Sequence, residues 1–171
     1  MDDQLNPISH DLIVSFLREA LHKGEKPALT VVSNSMSPLL EVNDQVILSS
    51  VNFETLKKGD IITVTQREAL TTHRVVWQDV QFVVTKGDRN LVLDEPTPYN
   101  QIIGKVSQIR SNRLSGTLNL EASQNQLKLK SIYRLSQFDF AVKKRFKLIA
   151  RLTSKFVKRV TLRIMRSMKT L

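Results

Sequence analysis

This 171-residue chain contains no cysteine. Its candidates for a nucleophile, a base and an acid are therefore led by serines, histidines and carboxylates. The lack of cysteine excludes thiol catalysis, disulfides and cysteine-ligated metals. The histidines are His10, His22 and His73, and they share no metal-ligand spacing such as HExxH. We therefore expect neither a metal nor another cofactor. A serine hydroxyl becomes a good nucleophile when a base takes its proton, and an imidazole can do so near neutral pH.

The elements that must position such residues change along the chain from helix to strand. Residues 9–23 have the apolar spacing of an amphipathic helix, with Ser9 as N-cap and Gly24 as terminator. From 28 to about 110, short β-branched runs alternate with turn signals, which predicts strands. The apolar stripe of the helix consists of Leu12, Ile13, Phe16, Leu17 and Leu21. The expected strands are Leu29–Val32, Gln45–Leu48, Asp60–Thr65, Leu70–Trp77, Gln81–Thr85 and Gln101–Ile109.

The part of the chain after residue 110 differs from this β region. Residues 111–130 could pair as a hairpin, through Leu118–Leu120 and Leu127–Leu129, or serve as a linker. Residues 131–171 have a helical apolar period with Lys and Arg between the apolar positions. Residues 128–171 hold 14 basic residues against Asp139 alone, a net charge of +13, whereas residues 1–127 carry −3. This asymmetry indicates an appendage that meets an anionic surface.

Four regions follow from these patterns. Residues 1–27 are an N-terminal helix and linker, 28–110 a β domain, 111–130 a hairpin or linker, and 131–171 a basic amphipathic helical tail. The fold class is mainly β, with an antiparallel, partly closed sheet. No stretch approaches the ~20 apolar residues that a spanning helix needs. We therefore expect no N-terminal transmembrane anchor.

Five short motifs occur within residues 28–106. They are Ser33-Asn-Ser-Met-Ser-Pro38 followed by Asn43-Asp44-Gln-Val-Ile-Leu48, then Lys58-Gly-Asp-Ile-Ile62, Thr72-His-Arg-Val-Val76, Thr85-Lys-Gly-Asp-Arg-Asn90 with Asp94, and Ile103-Gly-Lys-Val106. In this order they resemble the sequence boxes of signal peptidase I and its relatives. Histidine stands where typical bacterial members have a catalytic lysine. The chain is therefore similar to the serine–histidine branch known from the endoplasmic reticulum, archaea and sporulation. Asn34 and Asn43 depart from the family by standing where glycine is common, although asparagine tolerates positive φ.

The resemblance implies the active-site residues. Ser35 would be the nucleophile and His73 its general base, and Asp94 is the best candidate for the acid that orients the imidazole. Asp88 matches a second functionally important acid of the branch. A turn residue after Gly87 is an equally weighted interpretation of Asp88, so the sequence leaves open which acid orients His73.

The resemblance also implies the surroundings of the nucleophile. The Ser35 N–H and the Ser33 hydroxyl would form the oxyanion hole. Met36 and Pro38 would lie along the substrate cleft, although Met36 could equally fill the core. A Ser–Lys pair through Lys86 or Lys105 is the weaker alternative, because lysine is usual in both boxes beside a histidine base.

Three functions remain open at this point. The first is a serine endopeptidase that cuts a signal- or leader-like peptide or preprotein, by family preference after a small residue. The second is a non-catalytic peptide-binding scaffold, and the third is a self-cleaving repressor-like regulator. The third usually needs a DNA-binding domain, for which 27 residues before the β region are too few.

Two interpretations of the basic tail also remain open. It could lie peripherally on an anionic membrane, or pack on the β body with a solvated basic face. The expected location is accordingly membrane-associated or cytoplasmic. A nucleic-acid partner is not expected, because the tail holds no recognisable binding motif.

Overall fold

The computed structural model describes residues 9–114, 116–122, 125, 129–135, 137 and 150–168. It is mainly antiparallel β sheet with helices at both ends of the chain. Helix α1 spans His10–His22 and helix α2 spans Ala150–Ser167, with a further helical stretch at 129–135. The strands are β1 Ala28–Thr30, β2 Gln45–Ser49, β3 Ile61–Gln66, β4 Ala69–Gln78, β5 Phe82–Lys86, β6 Thr97–Pro98, β7 Ile102–Ser111 and β8 Gly116–Asn119.

All eight strands belong to one sheet in the order β1-β2-β7-β3-β4-β5-β6, with β8 added to β7. Every pairing is antiparallel, as the alternating pattern predicted. Among the described strands the order ends at β1 on one side and at β6 on the other, so the sheet is not closed, whereas the sequence predicted a partly closed one. The strands expected from the sequence all form within two residues of their predicted bounds, and β6 and β8 are additional.

The β3–β4 hairpin carries the segment that contains His73. Its two-residue turn, Arg67-Glu68, has both residues at positive φ, 49° and 59°. Such turns twist in the sense of the strands and usually contain Asn-Gly. The register places Ile62 opposite His73, which fixes the side of the sheet from which the imidazole projects.

Helix α1 begins and ends as predicted. The Ser9 hydroxyl accepts a hydrogen bond from the Leu12 N–H at 3.3 Å, and Gly24 takes φ 78° beyond the last turn. Leu17 and Leu21 are buried, but Leu12 and Phe16 are 60% and 64% exposed. The predicted apolar stripe was therefore too wide, because the helix rests on the sheet through the Leu17–Leu21 side.

The hairpin considered for 111–130 does not form between its two leucine pairs. Leu118 lies in β8 opposite Ile109 of β7, and Leu129 is helical, as are the residues up to 135. Leu127 lies outside the described residues. The β body therefore continues past residue 110 into β8.

Helix α2 packs on the β body through one face. Val157, Thr161 and Met165 are buried at four-residue spacing, and Met165 joins the core cluster that includes Leu17 and Ile109. On the opposite face, three basic side chains are exposed, Arg159, Arg163 and Arg166, while Lys158 lies at the edge of the packed face and pairs with Glu41 at 3.5 Å. Phe138, Val142, Phe146 and Ile149, which contributed to the predicted helical period, lie outside the described residues. Within the described part of the chain, no helix is long and apolar enough to cross a membrane.

Candidate active site

Three side chains from distant parts of the chain form a hydrogen-bonded chain. Ser35 lies in the loop after β1, His73 in β4, and Asp94 in the loop between β5 and β6. His73 Nε2 is 3.0 Å from Ser35 Oγ, and His73 Nδ1 is 2.6 Å from Asp94 Oδ2. Both ring nitrogens of the largely buried imidazole are thus engaged, one by a hydroxyl and the other by a carboxylate. This is the geometry in which an imidazole can take a proton from a serine.

Asp94 is held in place by strand β5. Its backbone N–H donates to the Thr85 carbonyl at 2.9 Å, and the Thr85 hydroxyl donates to Asp94 Oδ2 at 2.6 Å. The same carboxylate oxygen contacts His73, so Thr85 fixes the atom that orients the ring. Thr85 is fully buried, which leaves its hydroxyl no competing water. Of the two acids that the sequence left open, Asp94 is the one that contacts the imidazole.

Asp88 has a different partner. Its Oδ1 accepts from Arg74 Nε at 2.8 Å and its Oδ2 from Arg74 Nη2 at 2.6 Å. Both side chains are almost completely buried, at 1% and 2% exposure. Burial acts to lower the pKa of Arg74, but the charge of Asp88 and its hydrogen bonds outweigh that effect and raise the pKa. The guanidinium therefore stays charged and paired, and Asp88 serves as its counter-ion.

The turn that contains Asp88 rests on the backbone of the candidate nucleophile. The Arg89 N–H donates to the Ser35 carbonyl at 2.8 Å. A Cβ at Gly87 would lie 2.8 Å from that same carbonyl oxygen, so a side chain there would push the two segments apart. The Arg74–Asp88 pair thereby anchors the turn whose Arg89 N–H holds the Ser35 backbone in place.

The two lysines considered as alternative bases are engaged elsewhere. Lys86 Nζ donates to the carbonyls of Gly87 and Asn90, at 3.0 Å each, and so ties the turn together. Lys105 Nζ pairs with Asp60 at 3.0 Å. The Ser35 hydroxyl is contacted by an imidazole instead, which favours the histidine assignment.

A cavity of about 400 Å³ opens beside Ser35 and His73. One wall is residues 29–33, from β1 and the loop after it, and the other is residues 70–73 of β4. Met36 lines the cavity and also belongs to the core cluster. Pro38 lies outside the cavity lining, and its carbonyl accepts from Arg113 at 3.4 Å.

Both walls of this cavity present strand edges. Val31 exchanges backbone hydrogen bonds with Asn43 and Asp44, so the backbone groups of Thr30 and Val32 point to the other side, toward the cavity. On the opposite wall, β5 pairs with β4 only from Arg74 onward. Residues 69–73 therefore keep one edge that no described strand covers.

The two residues predicted to form the oxyanion hole, Ser33 and Ser35, both line this cavity. Ser33 Oγ is 3.2 Å from Ser35 Oγ, and Ser33 is exposed at the mouth of the cavity. The turn before β2 forms with Asn43 at φ 71°, as expected for an asparagine that replaces glycine, while Asn34 does not adopt positive φ.

Sequence reasoning assigned no role to Thr85 or Arg74 and gave Gly87 only a place in a turn, although all three lie within the quoted motifs. Thr85 and Gly87 flank Lys86 in the motif that contains Asp88, and Arg74 follows His73. Their roles depend on which strand lies beside which, and the motifs alone do not show this.

No protein-family model matches this sequence, and no curated protein matches it.

Proposed function

We propose that this protein is a serine endopeptidase of the signal-peptidase type, which hydrolyses a peptide bond in an extended signal- or leader-like peptide. The observation that carries the proposal is the chain from Ser35 through His73 to Asp94, with contacts of 3.0 and 2.6 Å. This chain borders a cavity whose walls are strand edges. The collinear motifs of the sequence support the same family.

The proposed reaction has two stages. As Ser35 Oγ attacks the substrate carbonyl carbon, His73 Nε2 takes the hydroxyl proton, and a tetrahedral oxyanion forms. Asp94 stabilises the resulting imidazolium, which then gives its proton to the leaving amine as the C–N bond breaks. Water attacks the remaining acyl ester with His73 again as base, which releases the acid and restores the Ser35 hydroxyl.

Two donors close to the attacking oxygen would stabilise the oxyanion. The Ser35 N–H and the Ser33 hydroxyl lie next to the attacking oxygen, with Ser33 Oγ 3.2 Å from Ser35 Oγ. One oxyanion-hole donor is worth ~2.7–4 kcal/mol of barrier. The hydroxyl that contacts Ser35 in the free protein would turn to the oxyanion as it forms.

An extended peptide fits between the two walls of the cavity. The backbone groups of Thr30 and Val32 on one side, and of residues 70 and 72 on the other, could hydrogen-bond to a strand laid between them. When a peptide binds as an added strand, its main-chain hydrogen bonds supply affinity, and every second side chain of the peptide enters a pocket. Cleavage after a small residue is the preference that the family resemblance implies.

The membrane role that we propose for the C-terminal region rests on charge alone. The apolar face of α2 is used by the core through Val157 and Met165, so this helix does not offer that face to lipid. Its exposed basic face remains, and each basic residue near an anionic bilayer contributes ~1 kcal/mol. Replacing Arg159, Arg163 and Arg166 with glutamine is expected to weaken binding to phosphatidylglycerol vesicles, measured by sedimentation. Unchanged sedimentation would contradict this role.

The test of the peptidase proposal is cleavage of leader-like peptides by purified variants. Ser35→Ala and His73→Ala should each lower kcat by more than ~10⁴-fold while circular dichroism stays unchanged. Ser37→Ala is the matched control, because this hydroxyl lies two residues away and contacts Glu41 at 3.1 Å. His22→Ala, on the exposed surface of α1, is the control for histidine loss. Cleavage that persists in either active-site variant would reject the proposal.

A further inference from the structure

A second cavity, of about 510 Å³, lies on the other side of β4 from the imidazole. Arg74 lines it, and Arg74 follows His73 in the strand, so the two side chains project to opposite faces. Its volume falls within the ~300–1,000 Å³ that small-molecule sites commonly have. The peptidase mechanism makes no use of this cavity.

The charge of this second cavity is strongly positive. Two of its cations are neutralised, Arg74 by Asp88 and Lys105 by Asp60. Lys57, Lys58 and Lys130 also line it, and none of these three forms an ion pair with a described carboxylate. They come from two distant segments, the loop before β3 and the helical stretch 129–135, so the fold brings them to one rim. Like charges gathered in this way repel one another until an anion enters.

The lining of the second cavity is not polar throughout. Ile61 and Val106 from the sheet form an apolar wall with Leu120 and Leu129. Tyr133 completes the lining, and its burial raises the pKa of the phenol, so the hydroxyl remains protonated and can donate a hydrogen bond near neutral pH. The cavity thus combines an apolar wall, a neutral donor and a rim of three ammonium groups.

We propose that this cavity binds a phosphate group that carries an apolar body. A phosphomonoester has close to two negative charges near neutral pH and several acceptor oxygens. Such a ligand matches three lysines and a phenol better than a ligand with a single carboxylate would. The apolar wall would cover the carbon part of the ligand. A free phosphate ester and a phospholipid headgroup share this chemistry.

The primary test uses hexyl phosphate as the probe and isothermal titration calorimetry of the full chain. We expect saturable one-to-one binding, tighter than that of inorganic phosphate because the apolar wall contributes. Replacing Lys57, Lys58 and Lys130 together with glutamine should weaken hexyl phosphate binding by about tenfold or more. The matched control removes three charges elsewhere, through glutamine at Arg159, Arg163 and Arg166, none of which lines the cavity, and should leave affinity unchanged.

The outcomes separate clearly. The proposal is overturned if hexyl phosphate shows no saturation below millimolar concentrations, or if the two triple variants bind it equally well. Equal affinity for inorganic and hexyl phosphate would overturn the role of the apolar wall. Tyr133→Phe, which removes only the hydroxyl, should also weaken binding, and unchanged affinity would remove Tyr133 from the site.

Vesicles distinguish the two ligand sources. Where the lysine variant also loses sedimentation with phosphatidic acid vesicles, the bound group is a lipid headgroup. Where it loses only hexyl phosphate binding, the ligand is a free phosphate ester. These measurements do not involve peptide cleavage, so the peptidase proposal and this one can fail independently.

Discussion

Replacing Asp88 with asparagine separates structural support from direct catalysis at this residue. The change keeps the size of the side chain but removes the charge that pairs with Arg74. Two hydrogen bonds, of 2.8 and 2.6 Å, join these groups, and the side chains are 1% and 2% exposed. An amide can accept from only one of the two guanidinium nitrogens, and its NH₂ faces the other. The variant therefore leaves a buried cation without a full counter-charge.

The expected magnitude follows from this burial. Breaking a buried pair by removing one partner costs about 3–5 kcal/mol of the free energy of unfolding. An exposed ion pair contributes about 0–1 kcal/mol to the free energy of unfolding. Glu19→Gln, which breaks such a pair, is therefore the matched control. Glu19 pairs with Lys23 at 2.6 Å, but these side chains are 63% and 59% exposed. Urea denaturation followed by circular dichroism gives both free energies.

A second variant distinguishes a lost counter-ion from a general disturbance. In Arg74→Met combined with Asp88→Leu, both charges are gone, so we expect a smaller loss of stability than in Asp88→Asn alone. A supporting role for Asp88 is refuted if the free energy of unfolding of Asp88→Asn lies within about 1 kcal/mol of the parent value while peptide cleavage is abolished. That result would make Asp88 a direct participant in the reaction.

The remaining predictions concern groups around the nucleophile. Thr85→Val removes the hydroxyl that donates to Asp94 at 2.6 Å. We expect kcat to fall about tenfold at similar KM, because a misplaced catalytic group slows the chemical step without weakening substrate binding. Thr85→Ser retains a hydroxyl and should restore most of the rate, whereas equal defects in both variants would point to packing instead. Ser33→Ala should lower kcat by about 10²–10³-fold in a steady-state peptide assay, as loss of an oxyanion donor does. A Ser33→Ala enzyme with normal kcat would exclude this hydroxyl from the oxyanion hole.

The sequence predicted the parts of the fold that depend on local patterns. The β-branched runs between turn signals predicted the strands, and Ser9 and Gly24 predicted the limits of α1. The β3–β4 connection carries no Asn-Gly signal, because Arg67 and Glu68 adopt positive φ there without glycine. The exposure of Leu12 and Phe16 was also not predictable, since the face that a helix buries depends on what packs against it.

The candidate site shows the same division. Motif resemblance led to Ser35, His73 and Asp94, and the structure brings their side chains together. It left the role of Asp88 open, because the partner of that acid is fixed by the pairing of β4 with β5, where Arg74 lies opposite Lys86. The lysines of the second cavity meet only through tertiary folding, so no local pattern predicts them.

Whether His73 activates Ser35 is measured by covalent labelling of the folded protein with a fluorophosphonate probe, with the modified residue located by mass spectrometry. If the imidazole activates the hydroxyl across the 3.0 Å contact, the probe will attach to Ser35, and His73→Ala will suppress labelling while Ser37→Ala leaves it intact. Labelling that is absent from Ser35, or equally fast without the imidazole, would contradict the account.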